Sequence, residues 1–78
     1  MENASIVEET KKHTNLTRLE RGVLVQAIRS FNCSEDFNTL YVIGRNKRLA
    51  AKRLTDRKIL TEVSDNGLLL IVRFNPNN

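Results

Sequence analysis

Apolar residues recur at helical spacing through the first half of the chain and gather into short runs near its end. A helix is predicted from about Arg18 to Phe31. Its apolar face is formed by Leu19, Val23, Leu24, Ala27, Ile28 and Phe31. Thr17 and Glu20, at the start of this pattern, have the spacing of a capping box, in which a hydroxyl and a carboxylate bind unpaired amides of the first turn. The pattern therefore predicts an amphipathic helix that packs on a core.

Residues 1–15 form a polar arm of mixed charge in front of this helix. Ser5 and Glu8 have the spacing of another capping box, so the arm is either a short helix from about Ile6 to His13 or disordered. If the arm is ordered, Ile6 and Val7 would anchor it to the body or to a partner subunit.

A second helix is predicted from about Glu35 to Ile43. Ser34 can cap its first turn, where Glu35 and Asp36 are favoured by the helix dipole. Its inward-facing candidates are Phe37, Leu40 and Tyr41. Gly44 would end the helix by adopting the left-handed conformation.

A basic third helix is predicted from about Lys47 to Arg57, with Asn46 as its cap. At 100° per residue, Ala50, Ala51 and Leu54 fall on one side, which would pack inward. Between Arg45 and Lys58, seven basic residues accompany one acid, Asp56.

The end of the chain predicts a β-hairpin, with strands at 60–63 and 68–74 around Asn66 and Gly67. Asn-Gly favours a type I′ turn, because both residues tolerate positive φ. The run from Leu68 to Val72 does not alternate with polar residues, which predicts a strand buried on both faces. Either a second subunit, or the helices together with the N-terminal arm, would cover it.

Seventy-eight residues predict one domain at 16–74, preceded by the arm at 1–15 and followed by a polar tail at 75–78. A core this small supplies little net stability, which favours a homodimer. Residues 1–39 contain five basic and six acidic residues, a net charge of −1, whereas residues 40–78 contain eight and three, a net charge of +5. This asymmetry favours a polyanionic partner, although a solvated helix would show the same pattern.

Cysteine and histidine occur once each, as Cys33 and His13. This count excludes an intramolecular disulfide and a multi-cysteine zinc site, and an isolated cysteine is more often a buried small hydrophobe. We therefore expect no catalytic residues, no metal, no cofactor and no small-molecule substrate. No run approaches the roughly 20 apolar residues that span a bilayer, so a soluble cytoplasmic protein without a membrane partner is expected.

The segment from Leu54 to Leu60, followed by the turn at 65–67, resembles the winged helix-turn-helix family. That family's pattern has a leucine in the recognition helix, a short spacer, an entry into the wing and a wing turn. This chain matches it, with Lys58 where glycine is usual. The resemblance covers about 16–74 and implies an α+β fold of three helices followed by a C-terminal hairpin. It also implies that the third helix enters the major groove of DNA.

The predicted function is duplex-DNA binding in transcriptional or replication control, and the small size suggests a virus, phage or plasmid. The DNA-binding candidates are Arg45, Asn46, Lys47, Arg48, Lys52 and Arg53. Loss of Arg48 and Lys52 should remove most binding. The DNA-binding prediction requires the guanidinium and ammonium groups of the third helix to be free, and it fails if they point at the protein's own carboxylates or lie beneath a neighbouring subunit. One alternative is a winged-helix adaptor that binds an acidic protein without binding DNA. Another is a different α+β topology in which the basic helix is merely solvated.

Overall fold

A computed structural model describes residues 5–33 and 39–76 as three helices and one three-stranded antiparallel sheet. The elements in chain order are α1 (Ile6–Lys12), α2 (Arg18–Cys33), β1 (Thr39–Ile43), α3 (Arg45–Asp56), β2 (Leu60–Asp65) and β3 (Leu69–Phe74). The fold is α+β, as predicted. None of the described helices is both long and apolar enough to cross a membrane.

Both N-terminal helices begin where the capping signals place them. The Ser5 hydroxyl accepts a hydrogen bond from the Glu8 amide at 3.3 Å. At the start of α2, the Thr17 amide donates to Glu20 at 3.0 Å, and the Glu20 amide donates to the Thr17 hydroxyl at 3.1 Å. The bond from the Thr17 amide is the main cause that lowers the pKa of the Glu20 carboxyl. The capping box of α2 is therefore confirmed, and the N-terminal arm contains a helix.

The predicted helix at 35–43 is wrong for its second half, because Thr39–Ile43 forms strand β1. Its register with β3 places Tyr41 opposite Ile71. Alternation then buries Val42 and leaves Tyr41 exposed, so the prediction that Tyr41 faces inward is also wrong. The rest of that predicted helix, including Phe37, lies outside the described residues. The β-branched and aromatic residues of β1 are well suited to a strand.

Gly44 joins β1 directly to α3 with a φ of 104° and stands at the N-cap of α3. It therefore precedes a helix instead of ending one. Asn46 lies inside the first turn and does not cap α3, which has no side-chain cap. The inward face of α3 is confirmed, since Ala50, Ala51 and Leu54 are fully buried.

The C-terminal end of α3 closes in a Schellman motif that leads into the sheet. The Ile59 amide donates to the Leu54 carbonyl at 3.0 Å, and the Lys58 amide donates to the Thr55 carbonyl at 2.9 Å. Lys58 has a φ of 62°, the left-handed conformation that favours glycine. This is the position at which the winged-helix pattern usually has glycine.

The hairpin of β2 and β3 is confirmed, but its turn differs from the prediction. A three-residue connection, 66–68, joins the strands, and only Gly67 within it has positive φ, at 94°. A type I′ turn would require positive φ at Asn66 as well. The Asn66 side chain instead accepts hydrogen bonds from the amides of Leu68 and Leu69, at 3.0 and 2.8 Å.

The sheet has the order β1-β3-β2, so β3 is its central strand. One face of the sheet packs against α2 and α3 and forms the core, to which β3 contributes Leu70, Val72 and Phe74. Phe74 also makes an edge-to-face contact with Phe31, with ring centroids 5.5 Å apart. On the other face Leu69 and Ile71 are half-buried, and Leu68 in the turn is exposed. The helices and the N-terminal arm therefore do not fully bury the second face of β3, and its cover by a second subunit stays a prediction.

Candidate nucleic-acid interface

Helix α3 presents its basic residues on the sides left open by its buried face. Small side chains at Ala50 and Ala51 let the helix lie close to α2, with Leu54 filling the space between them. Among the six predicted DNA-binding residues, the exposed ones are Arg45, Asn46, Lys47 and Arg53. Arg48 and Lys52 are half-buried.

Arg48 and Lys52 bind the carboxylates of the hairpin, Glu62 and Asp65. One guanidinium nitrogen of Arg48 lies 2.6 Å from the Asp65 carboxylate, and another donates to the Gly67 carbonyl at 2.8 Å. The Lys52 ammonium lies 2.5 Å from Glu62 and 2.8 Å from Asp65. These contacts fasten the outer side of α3 to the hairpin.

The Asp65 carboxylate remains ionised far below neutral pH. The hydrogen bond from Lys52, followed by that from the Gly67 amide, lowers the pKa of Asp65 from 3.8 to about 2. The same contacts, with Asp65 first and Glu62 second, raise the pKa of Lys52. Two cations of α3 are thus matched by two anions, so the local field is weaker than the sequence count of basic residues suggests.

Within the described part of the chain, Arg45, Lys47 and Arg53 have no carboxylate at salt-bridge distance. Arg45 lies beside the groove that also contains Arg48 and Lys52, whereas Lys47 faces α2 near Leu19. Arg53 lies on the side of α3 where its charge acts on Glu20. The structure therefore brings together three of the predicted residues and distributes the others around the helix.

The start of α3 leaves the amides of its first residues without helical acceptors. The first bond of the helix runs from the Arg48 amide to the Gly44 carbonyl at 2.9 Å. The amides of Arg45, Asn46 and Lys47 come before it. Such amides, together with the positive end of the helix dipole, favour anions. Asn46 thus occupies the predicted phosphate-contact position without acting as a cap.

A shallow apolar groove separates the start of α3 from the hairpin turn. Its apolar lining is provided by Ile43, Leu49 and Leu68, which are 69%, 49% and 82% exposed. The groove does not follow from the sequence pattern, which predicted a helix at Ile43 and a buried strand at Leu68. The available signal was a leucine, Leu49, opposite the alanine face of a basic helix.

The other chemically reactive residues lie away from α3 or close to one of its ends. Cys33 is exposed at the end of α2, contrary to the expectation of burial. His13 lies 3.8 Å from Glu9, and burial is the main cause that lowers its pKa. Arg57, just after α3, donates to the Thr14 carbonyl at 3.0 Å and so ties the end of that helix to the α1–α2 connection. Across residues 5–33 and 39–76, acidic, histidine and cysteine side chains form no group of three that could hold a metal ion.

A scan against protein-family models gives no match, and searches of the curated proteins and of the solved structures give none either. The function must therefore be inferred from the residues of α3, the hairpin and the groove between them.

Proposed function

We propose that the protein is a winged-helix protein that binds duplex DNA in transcriptional or replication control, with α3 entering the major groove. The observation that carries this proposal is the division of α3 into a buried alanine face and a basic exposed side next to a β-hairpin. The left-handed Lys58 at the family's glycine position, followed by the hairpin, supports the winged-helix assignment. Strand β1 stands where a second helix was predicted, so a strand and not a helix leads into α3.

Arg45, Asn46, Lys47 and Arg53 are assigned to the primary contacts with DNA. The first three surround the unpaired amides at the start of α3, where phosphate oxygens would be favoured. Arg53 is exposed one turn from the C-terminal end, and it can reach a phosphate without breaking a salt bridge within the described chain.

Arg48 and Lys52 have a different role in this proposal. Each must exchange a carboxylate of the hairpin for a phosphate before it contacts DNA, and that exchange cancels much of the gain. We therefore expect them mainly to hold the hairpin beside α3. The sequence-based prediction required the cations of α3 to be free of the protein's own carboxylates, and Arg48 and Lys52 do not meet that condition. The proposal therefore depends on Arg45, Lys47 and Arg53, and removal of Arg48 and Lys52 is no longer expected to abolish most binding.

A fluorescence-anisotropy titration of random duplex DNA at several salt concentrations tests the proposal. Arg45→Ala combined with Arg53→Ala should weaken binding and reduce the salt slope by roughly 2, about one for each lost phosphate contact. The matched control is Arg21→Ala combined with Arg29→Ala, which removes the same charge from exposed positions of α2. Absence of wild-type binding at low salt, or an equal loss in the control, would refute the proposal.

The apolar groove favours a second candidate, a winged-helix adaptor that binds an acidic protein and no DNA. Ile43, Leu49 and Leu68 present apolar side chains beside Arg45, a combination that suits an amphipathic acidic segment. This candidate predicts a stoichiometric protein partner that is lost in Leu49→Ser combined with Leu68→Ser. It also predicts no salt-dependent DNA binding by the wild type, and that result separates the two candidates.

A further inference from the structure

The two outer strands of the sheet differ in how their free edges are protected. Strand β2 has a bulge between Glu62 and Ser64, and it contains the acids Glu62 and Asp65. Strand β1, Thr39–Ile43, has no bulge, no proline and no charged residue. No strand pairs with its outer edge in the part of the chain that the structure describes.

Bulges and charges are devices by which proteins prevent an outer strand from pairing with another chain. β2 has both devices and β1 has neither. β1 also exposes two large apolar side chains, Tyr41 at 63% and Ile43 at 69%. An uncharged, regular edge of this kind is suited to accept another strand.

We propose that a second copy of this chain pairs with it through β1, antiparallel and two-fold symmetric, to form one continuous six-stranded sheet. Symmetric pairing with Tyr41 on the two-fold axis places Tyr41 opposite Tyr41 of the second copy. Thr39 then lies opposite Ile43. Every pair in this register is uncharged, so no like charges meet, and an aromatic pair lies at the centre.

The occupant is a second copy because β1 is self-complementary and offers no charge that would select an acidic or a basic partner. The dimer's strand order would be β2-β3-β1-β1-β3-β2. Antiparallel strands in one sheet are related by a two-fold axis perpendicular to that sheet, so both α3 helices would lie on the same side. The proposal does not depend on DNA binding.

The contact is small, which determines how the dimer should behave. Five-residue strands bury well below the roughly 800 Å² per partner of a standard stable interface. Association is therefore expected to be reversible and to depend on concentration. Sedimentation velocity of the full chain, from low micromolar to millimolar, should show a monomer that converts to a dimer.

Charge substitutions at Tyr41 test the pairing and its register together. Tyr41→Lys and Tyr41→Glu should each weaken dimerisation by about tenfold or more, because like charges would meet on the two-fold axis. Mixing the two variants should restore a dimer, since lysine then lies opposite glutamate. Restoration would not follow if Tyr41 only stabilised the monomer.

Val63→Lys and Val63→Glu are the matched controls, because Val63 is exposed at the bulge of β2. They should leave dimerisation unchanged, and circular dichroism checks that every variant is folded. Intermolecular nuclear Overhauser effects between the two β1 strands give a second measurement that needs no substitution. The proposal is overturned by a wild type that stays monomeric, by a mixture that does not dimerise, or by Val63 variants that weaken the dimer equally.

Discussion

Helix α3 holds the hairpin at two places that differ in their physics. At its C-terminal end, Leu54 and Ile59 are buried and a Schellman motif fixes the backbone. On its outer side, Arg48 and Lys52 reach the hairpin carboxylates across a partly solvated surface. The buried apolar contacts should therefore determine stability, whereas the ion pairs should mainly determine how much positive charge α3 offers to a partner.

Leu54→Ala should have the largest effect on stability, since it removes a fully buried side chain at the C-terminal end of α3. The expected loss in free energy of unfolding is about 3 kcal/mol, from lost burial and the cavity left behind. Urea unfolding followed by circular dichroism measures it. Arg48→Ala should shift the same midpoint only slightly, because ion pairs on a partly solvated surface contribute little. A larger loss for Arg48→Ala than for Leu54→Ala would reverse the comparison.

Asp65→Asn combined with Glu62→Gln should raise the affinity for duplex DNA by about tenfold, by releasing Arg48 and Lys52 for phosphates. Asparagine keeps an oxygen for the Gly67 amide, which donates to Asp65 at 2.9 Å. The increase should come with a steeper salt dependence in fluorescence anisotropy.

The control for this prediction is Glu2→Gln combined with Glu8→Gln, which removes the same amount of negative charge from the N-terminal arm. An equal increase in the control would mean that overall charge, and not release of the hairpin ion pairs, sets the affinity. No increase in either variant would mean that Arg48 and Lys52 do not contact DNA.

Lys58→Gly tests the backbone at the C-terminal end of α3. Glycine removes the left-handed strain at a φ of 62°, and this gain outweighs its greater entropy loss on folding by about 0.5 to 1 kcal/mol. Lys58→Ala keeps the strain and should leave the unfolding midpoint unchanged. If Lys58→Gly destabilised the protein, the lysine side chain would have to stabilise the folded state by more than the strain of its left-handed backbone.

Sequence reasoning succeeded where the determinants are local. Residues close together in the chain determine three correctly predicted features, which are the capping box of Thr17 and Glu20, the alanine face of α3 and the hairpin. β1 was missed because its state depends on pairing with β3, about 30 residues later, while helix-start signals precede it in the sequence.

The sequence could predict which side of α3 is buried, but it could not predict the ion pairs of its basic residues. The partners of Arg48 and Lys52 lie 17 and 10 residues away, on the hairpin. The distance of these carboxylates from α3 depends on the bulge at Glu62 and Ser64 and on the three-residue turn. Neither feature follows from the local sequence pattern. Counting charges along α3 therefore overestimated the positive charge available to a polyanion.

Acid should weaken the ion pairs between α3 and the hairpin and leave the buried contacts of Leu54 and Ile59 intact. The expected change in stability is smaller than that of any substitution above. The pKa of Asp65 is lowered in the folded state, so its stabilising contribution is fully present above its ordinary pKa of 3.8. That contribution is lost as the pH falls through about 2. The urea midpoint of the wild type should therefore fall between these pH values, and that of Asp65→Asn should fall less. If the urea midpoints of the two proteins fell in parallel, another group would cause the acid sensitivity. Glu20→Gln would then be tested next, because the pKa of Glu20 is also lowered.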